Sequence, residues 1–278
     1  MTKKEKVKVK MKNSAMLAHT WVPTKIDPKG WLMSEKLDGV RATFSNGIFR
    51  TRTGRLINVP RFFKTSLPKH IILDGEIFGG YGTFDKTSGI CRKKEPVVAE
   101  WKTLSYAIFD VIDFQLSAFE RNELLYKNIP KDRTYHKVLP QIMCKGRSHV
   151  RQFLKKIESR GGEGVMLKKG ESMYESKRSH SLLKLKSFKD MDVCVIDHTK
   201  GTGKNKRKLG AIVCQMPSGK RFKCGSGFTD AQRENPPKLG SLITIKYFEL
   251  TKGKIPRFPT YVGIRAEQDL HSTSKDDV

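Results

Sequence analysis

The chain has 278 residues, and its 55 lysines and arginines against 28 acids give a formal charge of +27. A hydrophobic share of 37% with 9% aromatics excludes a disordered chain, and the length allows one large or two medium domains. Such a charge gathers phosphates, so nucleic acid leads as partner; an acidic membrane surface follows behind it, because no basic amphipathic helix stands out.

Residues 1–15 read as a basic mobile arm. The lysine-rich stretch from Thr2 to Lys12 has no apolar segment behind it, so it is not an export signal, and no apolar run is long enough to cross a membrane. An intracellular protein is expected. Next, Trp31-Leu32 and Ser34–Arg41 read as a strand, a tight turn at Gly39 and a second strand. Asn46-Gly47 has the form of a two-residue hairpin turn, with the following strand running to Thr53. His70–Phe78 and Tyr106–Phe114 read as apolar strands with acids set inside them. Ser148–Ser159 has one apolar face at helical spacing, with Ser148 placed to cap it and Gly161-Gly162 to stop it. A strand at Gly164–Lys168, a polar loop from Gly170 to His180 and a strand at Leu182–Lys186 follow.

The texture changes after Phe188. Asp192–Asp197 is a β-branched strand, and Thr199–Lys208 reads as a flexible Gly/Lys-rich loop. Leu209–Met216 and Arg221–Cys224 form a hairpin across Pro217-Ser218-Gly219. A short helix near Thr229–Arg233 precedes strands at Ser241–Leu250 and Phe258–Arg265. Five short strands with one helix fit a small Greek-key barrel of the oligonucleotide-binding (OB) type. The tail from about Ser272 reads as disordered. The five cysteines show no CxxC spacing, which speaks against a disulfide frame or a zinc site and for packing residues of a reduced compartment. The seven histidines show no ligand spacing.

Ionisable residues interrupt the apolar strands at Lys36 and Asp38, at Asp74 and Glu76, at Glu163, and at Lys184 and Lys186. Residues two apart on a strand share a face, and charges there are costly unless paired or used. A lysine can serve as a nucleophile when neutral, and nearby cations favour the neutral form. Glu76 and Glu163 could hold a hard divalent cation, while Lys184 and Lys186 could neutralise phosphate. The octapeptide around Lys36 alone fits a surface hairpin equally well, and Phe109 alone reads as core. Gly201–Lys204 lacks the spacing of a phosphate-binding P-loop.

In order along the chain, Lys36–Arg41 (KxDGxR), Thr51-Arg52-Thr53-Gly54, Leu73–Glu76, Tyr106–Asp110, Glu163–Lys168 (EGxMxK) and Leu183–Lys186 resemble the motifs of the covalent nucleotidyltransferases. With Arg257-Phe258-Pro259 and Gly263-Ile264-Arg265, the chain is most similar to the small ATP-dependent DNA ligases of viruses and bacteria, over about Met16 to Asp269. The resemblance implies an α+β fold: a nucleotidyltransferase domain of mostly antiparallel sheets at 16–187, an OB-fold barrel at 188–270, and a tail at 271–278. It implies ATP and Mg²⁺ (or Mn²⁺) as cofactors, nicked duplex DNA as partner, no membrane, and a monomer serving repair, replication or recombination.

By the same resemblance Lys36 would become AMP-lysine and Asp38 would act near the nick 3′-end. Glu76 would bind ribose, Phe109 would stack on adenine, and Lys184 and Lys186 would hold the α-phosphate and share in catalysis. Glu35 and Arg41 would join the nucleotide site, and Arg265 would orient the leaving pyrophosphate. Glu76 and Glu163 would support the metal. Arg41, Arg52 and Arg178 would touch ribose or DNA phosphates; separately from the resemblance, the net charge and the barrel point Lys204, Lys206, Arg207 and Lys208 of the basic loop to the DNA backbone. Glu267 stands where many members carry Asp. The alternatives are an RNA ligase or mRNA guanylyltransferase, which share the lysine chemistry, and a non-catalytic DNA-binding protein, for which Lys36 would be dispensable.

Overall fold

The computed structural model of the protein describes residues 15–130, 134–251 and 253–265. The expected arm, apart from Ala15, and the expected tail lie outside them, as does Glu267; Ala15 itself is buried. The chain divides into two compact units, Met1–Lys186 and Ser187–Val278.

In the first unit the elements run β1 (Leu17–Thr20), β2 (Leu32–Lys36), β3 (Val40–Ser45), β4 (Ile48–Thr51), β5 (Leu56–Ile57) and β6 (Leu73–Phe78). Then come α1 (Phe84–Arg92), α2 (Val98–Trp101), β7 (Ser105–Val111), α3 (Ala118–Asn128), β8 (His136–Val138), β9 (Ile142–Met143), α4 (Arg147–Glu158), β10 (Gly164–Lys168) and β11 (Arg178–Leu185). Two mixed but mostly antiparallel sheets result, one ordered β1-β11-β10-β2-β9 and the other β5-β4-β3-β6-β7-β8. The strands on either side of Gly39 therefore do not form a hairpin. β2 pairs with β10 and β9, β3 pairs with β4 and β6, and Leu37-Asp38-Gly39 carries the chain from one sheet to the other.

Alternation along the second sheet sends Phe44, Phe49, Leu73, Ile77, Tyr106 and Ile108 into a core shared with Phe63 and Trp101. Phe49 meets Tyr106 edge-on at 5.0 Å, and the Tyr106 hydroxyl donates to the Ala42 carbonyl at 2.9 Å. Truncating one such aromatic to alanine costs about 3–5 kcal/mol. A second core of Trp21, Met33, Val150, Ile157, Val165, Leu167 and Leu183 lies between α4 and the first sheet. Asn46 and Gly47 both adopt positive φ (49° and 79°), which the two-residue hairpin β3–β4 requires. Helix α4 begins at Arg147 with Gly146 as its N-cap and no side-chain cap, so Ser148 lies inside the helix and does not cap it.

The second unit comprises β12 (Lys189–Lys200), β13 (Leu209–Gln215), β14 (Arg221–Cys224), α5 (Asp230–Glu234), β15 (Leu242–Tyr247) and β16 (Thr260–Ile264). Val193, Val195, Ile212, Cys214, Ile243 and Ile245 point to one buried side. The sheet, ordered β14-β13-β12-β15-β16, does not close into the expected barrel among the described residues. Its two edges are joined by an isolated parallel bridge, Ser226 to Thr260, beside the stacked rings of Phe228 and Tyr261. The segment 201–208, expected to be flexible, is folded: it contains a 3-10 turn at Gly203–Asn205 and is closed by Gly201 N–H donating to the Lys208 carbonyl at 3.0 Å. All five cysteines are free thiols. No helix among the described residues is long and apolar enough to cross a membrane.

Candidate active site

Lys36 is the last residue of β2, and its neighbour across the ladder is Gly164 at the start of β10. The next strand outward is β11, which carries Lys184 opposite Met166 and is followed at once by Lys186. Three adjacent strands thus bring Lys36, Glu163, Lys184 and Lys186 to one end of the sheet. Glu163 is buried, with one oxygen accepting from Lys36 Nζ and the other from Lys186 Nζ, the latter at 3.2 Å. Burial lowers the pKa of the half-buried Lys184, and the nearby Lys186, Lys36 and Arg178 push the same way.

The motif glycines permit these approaches. A Cβ on Gly164 would lie 2.2 Å from the Leu185 carbonyl oxygen, and one on Gly39 would lie 2.3 Å from that of Ile77 and 2.8 Å from Glu76 Cγ. Through Gly39 the second sheet adds Glu76, which sits opposite Arg41 on β3 and Ala107 on β7. Burial pushes the Glu76 carboxyl up to about 8; Lys36 and Arg41 oppose this and Glu163 and Asp74 add to it. Glu76 is therefore mostly neutral at neutral pH.

Phe109 reaches the site through a β-bulge. Asp110 pairs with Asp74 and Ile108 with Gly75, leaving Phe109 as the extra residue of β7. Its ring is half-buried between fully buried neighbours, so it is not the core residue that alternation alone suggests. Its carbonyl accepts from Lys168 Nζ at 3.0 Å and Gln141 Nε2 at 2.9 Å. Lys168 also bonds Asp110 at 2.7 Å, and Asp110 accepts from the wholly buried Arg121 at 2.7 Å. Burial alone would raise the Asp110 pKa, but Lys168 and Arg121 more than offset it and hold the carboxyl below its usual range. Sequence reasoning missed Lys168, Asp110 and Arg121 as supports; the lysine closing EGxMxK on an inward position was the available signal.

Arg41 is held by protein groups. Its Nε and Nη2 bond Asp74 at 3.0 and 2.5 Å, Nη1 donates to the Met16 carbonyl at 2.7 Å, and the guanidinium lies 5.4 Å over the Phe109 ring. Tyr174 donates to the same Asp74 at 2.8 Å. Burial disfavours the charge of Arg41, but Asp74 more than compensates and raises its pKa. With these donors engaged by protein groups, Arg41 is an anchor behind the aromatic ring.

Glu35 Oε1 is buried with no hydrogen-bond partner and lies under Gly162. Asp38 is half-buried in the sheet-crossing turn, and Arg52 is exposed in the turn after β4. Arg178 is exposed and donates to the Ala18 carbonyl. In the second unit Lys204, Lys206 and Arg207 are exposed. Lys208, expected at DNA, is instead paired with Glu234 of α5 at 2.7 Å, and that hydrogen bond raises its pKa. Arg265, expected at pyrophosphate, is paired with Asp192, which also accepts from Thr244 at 2.7 Å.

The donor set suits a nucleoside triphosphate. Three lysines face one buried carboxylate, leaving net positive charge for phosphates, and a half-exposed aromatic and an unpartnered acceptor lie nearby. Among the described residues no group of three or more His, Cys, Asp or Glu could hold a metal by itself. Glu76 and Glu163 make two, which matches the way Mg²⁺ binds through one or two carboxylates together with substrate phosphates.

Comparison with known proteins agrees with this chemistry. A family model described as ATP dependent DNA ligase domain matches residues 15–186, and one described as DNA ligase OB-like domain matches 200–265. A DNA ligase of Haemophilus influenzae is 39% identical over 247 residues, spanning 88% of this chain and 90% of that one. A DNA ligase of Archaeoglobus fulgidus is 27% identical over 256 residues, spanning 86% of this chain and 46% of its own length. A solved structure from a structure–function study of Lig E DNA ligases and DNA binding with a minimal scaffold superposes with a TM-score of 0.83 at 30% identity, over 91% of this chain and 99% of that one. A Chlorella virus DNA ligase-adenylate gives a TM-score of 0.52 at 26% identity, over 91% and 99%. The lysine-centred site lies inside the matched segment, and the chain belongs to the ATP-dependent DNA ligase family and is an enzyme of that class.

Proposed function

We propose that Lys36 is the nucleophile of a three-step nick-sealing cycle. Its amine attacks the α-phosphate of ATP, the bond to the β-phosphate breaks, pyrophosphate leaves, and the amine loses a proton as lysyl-AMP forms. AMP then passes to the 5′-phosphate of a nick, and attack by the 3′-hydroxyl on that phosphate releases AMP. Splitting one hard displacement into easier transfers is the general gain of covalent catalysis.

The observation that carries this reading is Glu163 bridging Lys36 and Lys186, with Lys184 on β11 two residues before Lys186. Lys184 and Lys186 neutralise the phosphate under attack, and such charge stabilisation supplies most of the rate in phosphoryl transfer. Phe109 offers its ring to adenine. Glu76, mostly protonated at neutral pH, can both donate to and accept from ribose hydroxyls. Glu163, and Glu76 on release of its proton, would hold Mg²⁺, which when bound supplies Lewis-acid neutralisation of the phosphates. Asp38 serves the 3′-end, and Arg52, Arg178, Lys204, Lys206 and Arg207 hold backbone phosphates. In this reading the protein is an intracellular monomer, with residues 16–187 forming the nucleotidyltransferase domain and 188–270 the OB domain.

The test is nick sealing with ATP and Mg²⁺, alongside Lys36→Ala and labelled ATP or GTP. Sealing and an AMP-labelled protein, both lost in Lys36→Ala, are expected. A GMP-labelled protein, or a Lys36→Ala variant that still seals, overturns the assignment.

A further inference from the structure

Strand β11 does not follow β1 evenly. Leu17 and Ala18 face Arg178 and Ser179, but the next residue, His19, faces Leu183, so His180, Ser181 and Leu182 have no partner on β1. The irregularity places the exposed His180 on the half-buried His19, with ring centroids 3.9 Å apart and planes within 5°. Both rings lie among cations. Arg178, one register step back, reaches over to the Ala18 carbonyl, and Lys184 stands opposite Thr20.

Among the described residues no acid balances this group. The charged groups that act on His19 are His180, Arg178 and Lys184, all of one sign when protonated. The acid that acts on Lys184 is Glu163, already engaged by Lys36 and Lys186. Glu175, on the approach to β11, is held by Lys177 at 3.1 Å and by Ser179. Lys168, on the neighbouring β10, is paired with Asp110. Stacked imidazoles repel when charged, so the arrangement favours an anion that bridges them. β1 is the sheet edge, and β11 and β10 separate it from β2 and Lys36. Three strand spacings amount to about 14 Å, beyond the reach of a triphosphate whose α-phosphate sits at Lys36. A nucleic-acid strand continues over such a distance.

We propose that the stacked pair His19–His180, with Arg178, forms a binding site for a backbone phosphate of the DNA substrate. The proposal rests on the reading of the chain as acting on nicked DNA. Neutral imidazoles can donate one N–H each to phosphate oxygens; burial and then the charges of His180, Arg178 and Lys184 lower the His19 pKa, and a bound phosphate opposes this, so the contact strengthens as pH falls.

The test uses the full chain and a fluorescent nicked duplex, titrated at several salt concentrations near pH 6 and near pH 8, with the double variant His19→Gln/His180→Gln. For the unaltered chain, the slope of log affinity against log salt should be steeper by about one at the lower pH. In the double variant that difference should vanish and affinity at the lower pH should fall by about fivefold. His180→Arg should keep the affinity and lose the pH dependence. Lys36 adenylation from ATP is measured on the same samples. Unchanged nick binding with normal adenylation overturns this proposal alone. A raised ATP requirement with unchanged DNA binding also overturns it, by assigning the pair to the nucleotide. Absence of adenylation in the unaltered chain overturns the ligase cycle itself.

Discussion

Lys36 and Glu163 form an ion pair between the end of one strand and the residue before its neighbour, and Glu163 is shared with Lys186. The proposed nucleophile is thus held in place by the carboxylate proposed to hold the metal. Glu163→Gln should lower the rate of Lys36 adenylation by about 100-fold, the scale of losing one electrostatic group from an active site. It should also raise the Mg²⁺ concentration needed for half-maximal labelling. Single-turnover labelling across a Mg²⁺ series checks both effects.

Lys168 links Asp110 to the Phe109 carbonyl inside the protein. Lys168→Met would leave Asp110 with Arg121 as its ion-pair partner and with the Val111 N–H, and the Phe109 carbonyl with Gln141. Breaking a buried pair by removing one partner costs about 3–5 kcal/mol, and the retained Arg121 puts this case at the lower end. Thermal unfolding should show the loss, and the KM for ATP in Lys36 adenylation should rise more than the rate falls, because the platform is displaced while the lysines stay.

Gly39→Ala would drive a methyl group onto the Ile77 carbonyl and Glu76 Cγ. Both neighbours belong to a core strand, so the turn must move. A destabilisation of about 1–3 kcal/mol is expected from overpacking, read by urea unfolding, together with loss of adenylation as Lys36 and Glu76 separate. Gly47→Ala, at a turn with open space but positive φ, should cost about 1 kcal/mol and leave adenylation intact.

Glu76 gives a pH signature. Below its usual carboxylate pKa the group is protonated in both folded and unfolded chains and contributes nothing. Between there and about 8 the folded chain keeps a proton that the unfolded chain has released. Stability should therefore fall as pH rises through this window, by up to about 1.4 kcal/mol per pH unit, and level off above it. Glu76→Gln should remove this component, and chemical unfolding across the window measures it.

The motif residues and their strands were legible because charges inside apolar runs are conspicuous. So was the hairpin at Asn46-Gly47, whose positive φ angles the two residue types favour. Helix α1, with Gly89 inside it, carries little periodicity and was not read. Helix α3 was missed although Ser117 and Glu120 form a capping box, a signal present in the sequence. Pairing was less visible than strands: nothing local to Lys36–Arg41 distinguishes a hairpin from a crossing between sheets, since the partners of β2 and β3 come from distant segments. For the same reason Arg41 and Lys208 were read as open cations, while Asp74 and Glu234 claim them in the fold.

The extra residue at Phe109 has a bearing on engineering. Removing one position from that strand would restore an unbroken ladder with β6, and the benzyl group would lose its half-exposed placement. A library selected for thermal resistance alone would tolerate or reward such repairs. Selection of more durable variants therefore has to score nucleotide handling at every round, because at this spot the most regular sheet and the working enzyme are different solutions.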